Sequence, residues 1–94
     1  MRRDEAVRLV IDALGDELCV VCNGMIGREA FTAKDREASF YMIGSMGLAL
    51  SIGMGVALAR PKRRVLVLDG DGNVLMGAGV LASVAAAKCR NLLH

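Results

Sequence analysis

The run Val65-Leu66-Val67-Leu68 passes directly into Asp69-Gly70-Asp71-Gly72, and this junction constrains the fold more than any other stretch. Continuous apolar residues with β-branched members suit a strand buried on both faces, as in a parallel sheet. Parallel neighbours cannot be joined by a tight hairpin, so helices must cross over between strands. The remaining sequence supplies them. Residues 4–14 carry Val7, Val10, Ile11 and Leu14 at helical spacing, with Asp4 as candidate N-cap and Gly15 at the C-terminal end. Residues 18–22 read as a short buried strand closed by Asn23-Gly24, residues 25–31 as a weak helix, and Lys34-Asp35-Arg36-Glu37 as a solvated turn. A second extended run, Ser39-Phe40-Tyr41-Met42-Ile43, ends at Gly44-Ser45-Met46-Gly47, and residues 46–59 suit a helix that Arg60-Pro61 terminates. After the central strand, Asn73 is placed to cap a helix over 74–88, and Asn91-Leu92-Leu93-His94 opens another strand. Strand and helix alternate with short connections, so the fold class is α/β with a parallel sheet, in one domain.

Three function classes fall to composition and pattern. Twelve basic against ten acidic residues leave a net charge of +2, and two Phe, one Tyr and no Trp offer neither a basic field nor a stacking platform, which sets nucleic acid aside. Residues 38–59 form 22 consecutive uncharged positions followed by Arg60, Lys62, Arg63 and Arg64, long enough for a membrane span. That stretch divides at Gly44-Ser45 into a strand-like half and a helical half of 14 residues, too short to cross about 30 Å at about 1.5 Å per residue. No membrane partner is expected. The N-terminus, Met1-Arg2-Arg3-Asp4, has no apolar export core, and the odd cysteine count (Cys19, Cys22, Cys89) fits a reducing cytoplasm. Cys19-Val20-Val21-Cys22 has the spacing of a redox or zinc pair. On a strand, however, positions i and i+3 face opposite sides, so ordinary buried thiols are expected.

Chemistry is expected at the glycines, which number 11 of 94 residues. Gly44-Ser45-Met46-Gly47 and Gly70-Asp71-Gly72-Asn73 each stand where a strand ends and a helix begins. In a parallel sheet both turns lie at the carboxyl edge, where ligands bind. Helix starts there present free N–H groups that suit a phosphate. Asp71 would repel a bare phosphate, and a hard cation such as Mg²⁺ between carboxylate and phosphate oxygens resolves the conflict. The plainer alternatives are a surface turn with a capping aspartate at Gly70-Asp71-Gly72 and a core side chain at Met46.

Lys34-Asp35-Arg36, Phe40-Tyr41-Met42-Ile43-Gly44-Ser45-Met46-Gly47-Leu48-Ala49 and Leu68-Asp69-Gly70-Asp71-Gly72-Asn73-Val74-Leu75-Met76 together resemble the diphosphate-binding (PP) domain of thiamine diphosphate enzymes. The likeness extends over essentially the whole chain and is nearest to the β subunits of sulfopyruvate decarboxylases and to the phosphonopyruvate decarboxylases. It implies a three-layer, parallel-sheet thiamine diphosphate-binding fold over residues 1–94, incomplete at its C-terminus. It also implies Asp71 as a ligand of Mg²⁺, with Gly70, Gly72 and the position of Asn73 shaping the turn around the diphosphate. Met46 matches the bulky apolar residue that bends the cofactor, the Gly44 carbonyl matches the acceptor of its aminopyrimidine amine, and Ser45 lies between them. Residues 24–28 match the loop that approaches the diphosphate in a form one residue shorter than usual, so Arg28 is given no phosphate contact.

In that family the second metal ligand is an asparagine at the carboxyl end of the strand following the Gly-Asp-Gly helix, a strand that has barely begun at His94. Asn91 precedes it and falls at the opposite edge of the sheet. The glutamate that activates the cofactor belongs to a pyrimidine (PYR) domain, on the α subunit in sulfopyruvate decarboxylases, so no catalytic residue is assigned and the isolated chain is expected to be inactive. The resemblance thus implies the thiamine diphosphate and Mg²⁺-binding portion of a decarboxylase of small 2-oxo acids, working with a PYR-domain subunit and a second copy of the chain. Leu48 stands where a histidine is expected in the phosphonopyruvate enzymes, which favours sulfopyruvate. An acetolactate synthase-like PP domain, and an inactive remnant serving only as an interaction module, are the alternatives. An incomplete sheet is further expected to leave the 65–68 strand without a neighbour on one side.

Overall fold

The computed structural model describes residues 1–94. Its strands are β1 (Leu18–Val21), β2 (Ser39–Tyr41), β3 (Val65–Leu68) and β4 (Leu92–Leu93), and its helices are α1 (Arg3–Ala13), α2 (Met25–Ala33), α3 (Ala49–Ala59), α4 (Asp71–Met76) and α5 (Val80–Ala87). All strand pairs are parallel, in the order β2-β1-β3-β4. β1 explains the layering. Cys19 and Val21 pack with Val7 and Ile11 of α1 and Ala30 of α2, while Val20 and Cys22 pack with Met42, Ala49, Leu50 and Val67. A strand buried on both faces needs helices on both. Accordingly α1 and α2 cover one side, and α3 with Val80 and Val84 of α5 covers the other.

The same alternation settles the Cys19/Cys22 spacing, since the two thiols lie in separate cores on opposite faces of the sheet. Burial pushes the Cys19 thiol up to about 11 and raises that of Cys22 as well. Only thiolates are nucleophilic, so alkylation at pH 8 is expected to modify the partly exposed Cys89 first and to reach Cys19 and Cys22 only on unfolding. Mass spectrometry of the native chain checks this, and early labelling of Cys19 would contradict it. The raised Cys19 pKa also fixes the sign of a pH effect. The folded chain holds that proton after the unfolded chain has released it, so stability is expected to fall as pH rises through the range from about 9 to about 11.

Several local expectations are corrected by tertiary contacts. The helix expected over 46–59 begins at Ala49, because Ser45 and Gly47 take positive φ angles of 57° and 95°. The single helix expected over 74–88 is two, broken at Gly77-Ala78-Gly79. Asn73 does not cap it; Gly70 occupies the N-cap and Asn73 lies inside α4. Nor does Asp4 cap α1, whose N-cap is Arg2, with Asp4 paired to the Arg2 guanidinium at 2.7 Å. The run expected to extend to Ile43 ends as β2 at Tyr41, although the Met42 N–H still bonds the Val21 carbonyl at 3.0 Å.

Lys34-Asp35-Arg36-Glu37 is not wholly solvated. Arg36 donates to the Gly15 and Glu17 carbonyls and to Ser39 Oγ at 2.8, 2.7 and 3.0 Å, tying the connection before β1 to the start of β2. At the far edge, β4 pairs with β3 through Val65↔Leu92 and Leu66↔Leu93, so β3 has a neighbour over its first half. Asn91 anchors that strand: its Nδ2 reaches the carbonyls of Ala57, Arg60 and Arg63 at 3.1, 3.1 and 2.8 Å, in the last turn of α3 and the turn that follows it.

Candidate functional site

In a parallel sheet the carboxyl ends of the strands share one edge, and the connections leaving β1, β2 and β3 gather there. The connections after β2 (residues 42–48) and β3 (residues 69–70), the latter leading into α4, are locked together. The Asn73 side chain, 6% exposed, accepts a 2.8 Å hydrogen bond from the Gly47 N–H through Oδ1. Gly47 has the left-handed φ of 95°, and a Cβ there would stand 2.9 Å from Met76 Cβ, so glycine is required on both counts. Gly77 closes the other side, where a Cβ would run into the Gly47 carbonyl.

Met46 follows the turn at Ser45 and lies with its Cε over Gly72, 2.8 Å from where a Cβ would stand. It is 45% exposed, more than the plain-core reading of Met46 calls for. A thioether projecting half-free over a glycine turn suits a ligand-supporting role. Met46→Ala is therefore expected to leave apo stability within about 1 kcal/mol, well short of the roughly 2 to 5 kcal/mol of a core truncation. Thermal unfolding of the apo chain checks this, and a core-sized loss would restore the plain reading. Gly44 and Ser45 form the exposed rim of the same loop, with open space where a Gly44 side chain would be.

Asp71 begins α4 and is exposed, its Oδ1 accepting the Gly72 N–H at 2.8 Å. Gly70 backs onto Ile26 Cδ1 at 3.2 Å and Cys22 Sγ at 3.9 Å, measured from where its Cβ would be, so the turn is seated on the end of β1. No group of three or more His, Cys, Asp or Glu side chains converges anywhere in the chain. The donor set therefore does not fit a metal caged by protein alone. It does fit Mg²⁺ held by one carboxylate together with phosphate oxygens and water, the usual mode for that ion.

Two side-chain arrangements beside this turn were not assigned from the sequence. Asp69, whose side chain is 7% exposed, accepts the Gly70 N–H through Oδ1 at 3.0 Å and meets His94 Nε2 through Oδ2 at 3.0 Å. The parallel register of β3 with β4 was the available signal, since it carries His94 to the level of Val67, near Asp69. At the end of β1, Asn23 Oδ1 is buried without a partner beside an open groove of about 830 Å³, bordered by Gly24, Arg28, Phe31, Tyr41 and Ile43. The uncharged stretch 38–59, set aside as a membrane span, is divided among β2, the Met46 loop and the 11-residue α3, and no helix is long and apolar enough to cross a membrane.

Comparison with known proteins bears on the same residues. Residues 20–93 match the family model described as thiamine pyrophosphate enzyme, C-terminal TPP binding domain. The chain is 48% identical over 94 residues to the sulfopyruvate decarboxylase subunit beta of Methanothermobacter thermautotrophicus, covering 99% of this chain and 50% of that protein. It is 43% identical to the corresponding subunit of Methanococcus maripaludis, again over 99% of this chain and 50% of the relative. To the phosphonopyruvate decarboxylase of Streptomyces viridochromogenes it is 47% identical over 87 residues, 93% of this chain and 22% of that protein. The chain thus spans about half the length of the sulfopyruvate decarboxylase subunits it matches.

Proposed function

Because the chain belongs to the thiamine pyrophosphate enzyme family through its C-terminal TPP-binding domain, we propose that residues 1–94 are part of a PP domain. In that reading they hold thiamine diphosphate and Mg²⁺ for the decarboxylation of a small 2-oxo acid. One observation carries the reading: the Gly44–Gly47 loop and the Gly70–Asn73 turn, distant in sequence, are joined at the carboxyl edge by the Asn73–Gly47 hydrogen bond. Asp71 binds Mg²⁺, and the Gly70-Asp71-Gly72 turn takes the diphosphate through the N–H groups of Asp71 and Asn73, those of Gly70 and Gly72 being held by aspartate side chains. Met46 supports the cofactor rings from below, and the Gly44 carbonyl with Ser45 receives the aminopyrimidine. When bound, the cofactor supplies a nucleophilic carbon and an electron sink for the departing carboxylate. The chain's own contribution is position and charge.

Sulfopyruvate is the preferred substrate, on the identity to the β subunits and on Leu48, which stands half-exposed at the N-cap of α3 beside the Met46 loop. On the resemblance to the family, the activating carboxylate is assigned to a PYR-domain partner, an α subunit, in an assembly that also contains a second copy of the chain. Phosphonopyruvate decarboxylation is the second reading, supported by the 47% identity to that enzyme. The test is co-expression with a PYR-domain subunit, calorimetry with thiamine diphosphate and Mg²⁺, and CO₂ release from each substrate. Binding with turnover of sulfopyruvate is expected. Turnover of phosphonopyruvate alone would select the second reading, and an assembly that does not bind the cofactor would overturn both.

A further inference from the structure

Asn73 holds the position after Gly-Asp-Gly, where a side chain could turn outward to a bound diphosphate. It does the opposite. It is 6% exposed, and its Oδ1 accepts the Gly47 N–H across 26 residues of sequence. We propose that Asn73 is a positioning residue, which fixes the Met46 loop to the metal-binding turn so that the two halves of the site are set relative to each other before any ligand arrives.

This inference rests on the cofactor reading given above. The geometry behind it is local. Gly47 lies one residue from Met46, and Asn73 one residue from Gly72, over which Met46 Cε rests. The Asn73 bond therefore sits directly behind the Met46–Gly72 contact. Gly47 is buried, so its N–H has no ready access to water if Oδ1 is removed. The loop then has to shift to satisfy that donor, and Met46 shifts with it. The diphosphate side is spared, because the Asp71 carboxylate takes the Gly72 N–H and owes nothing to the Asn73 side chain.

The test separates the two halves of the ligand. In the full chain assembled with its partner, affinity is measured for Mg²⁺ with thiamine diphosphate and for Mg²⁺ with inorganic pyrophosphate. In the apo chain, amide exchange is followed at Gly47. Asn73→Ala is expected to speed Gly47 exchange about tenfold and to weaken thiamine diphosphate binding about tenfold, the size of one buried donor left unpaired, while pyrophosphate affinity stays within about twofold. Equal weakening of both ligands would make the Asn73 side chain a direct diphosphate ligand and overturn the proposal. Unchanged exchange at Gly47 would overturn it too. Should Asn73→Ala fail to fold, Asn73→Asp keeps an acceptor in place and carries the test. A charged acceptor shortens the bond, so the Gly47 amide proton is expected to move downfield, and an unmoved resonance refutes the assignment. A wild-type assembly that binds neither ligand would sink the cofactor reading, while the apo exchange result would still decide whether Asn73 holds the loop.

Discussion

Asp71→Ala is expected to abolish Mg²⁺-dependent binding of thiamine diphosphate, with a loss of at least about 100-fold in affinity. Groups that merely orient metal ligands typically cost 10- to 100-fold when removed, so a directly coordinating carboxylate should cost no less. The site offers no substitute: Asp71 begins α4 at the surface, no other acidic side chain joins it in a metal-sized cluster, and Asp69 is committed to Gly70 and His94. Without Asp71, no carboxylate is left at the turn to hold the cation against the diphosphate. Asp69→Ala is the control. It leaves the Gly70 N–H and His94 without their acceptor, which is expected to lower stability by about 1 to 3 kcal/mol, while the Mg²⁺ dependence of whatever binding remains is retained. Calorimetric titrations across a range of Mg²⁺ concentrations distinguish the two variants. Unchanged cofactor affinity in Asp71→Ala would remove Asp71 from the metal site.

The contrast between Asp69 and Asp71 also shows where sequence reading stops. The junction from Val65-Leu66-Val67-Leu68 into Asp69-Gly70-Asp71-Gly72 was legible because hydrophobic continuity and glycine are local signals, and the structure has β3 and the start of α4 there. The alternating burial of Cys19, Val20, Val21 and Cys22 was legible for the same reason, since a strand's period of two needs no knowledge of its neighbours. What escaped depends on partners far along the chain. Arg36 read as one charge in a polar turn, yet its guanidinium serves two carbonyls about twenty residues upstream. Asn91 read as a residue before a strand, yet it holds the end of α3. Asn73 read as a helix cap because Asn is a good one, and the Gly47 N–H claimed its side chain instead. In each case one polar side chain had several locally acceptable uses, and the choice among them was made by packing.

Gly77 is the position where that choice is expected to show most strongly in stability. By propensity alone, residues 74–88 should run as one helix, and Gly77→Ala should strengthen it by up to about 1 kcal/mol. The structure predicts the reverse. A Cβ on Gly77 would run into the Gly47 carbonyl and crowd the Gly47 carbonyl carbon at 3.1 Å, and these are backbone atoms that cannot rotate away. Neither is the Met46 loop free to yield, since the Asn73 bond and the left-handed Gly47 hold it from the other side. Gly77→Ala is therefore expected to cost about 1 to 3 kcal/mol, the usual range of overpacking, and to loosen the Met46 loop as it does so. Gly79, two residues on, is the matched comparison. It lies in right-handed helical conformation with nothing within 4 Å of where a Cβ would be. Gly79→Ala should thus stabilise the chain by about 0.4 to 1 kcal/mol, chiefly by restricting the unfolded state. Denaturant unfolding of the two variants measures both signs at once. If Gly77→Ala proved as benign as Gly79→Ala, the break between α4 and α5 would be a matter of helix propensity, and the close seating of Gly77 on Gly47 would no longer explain why the helix stops there.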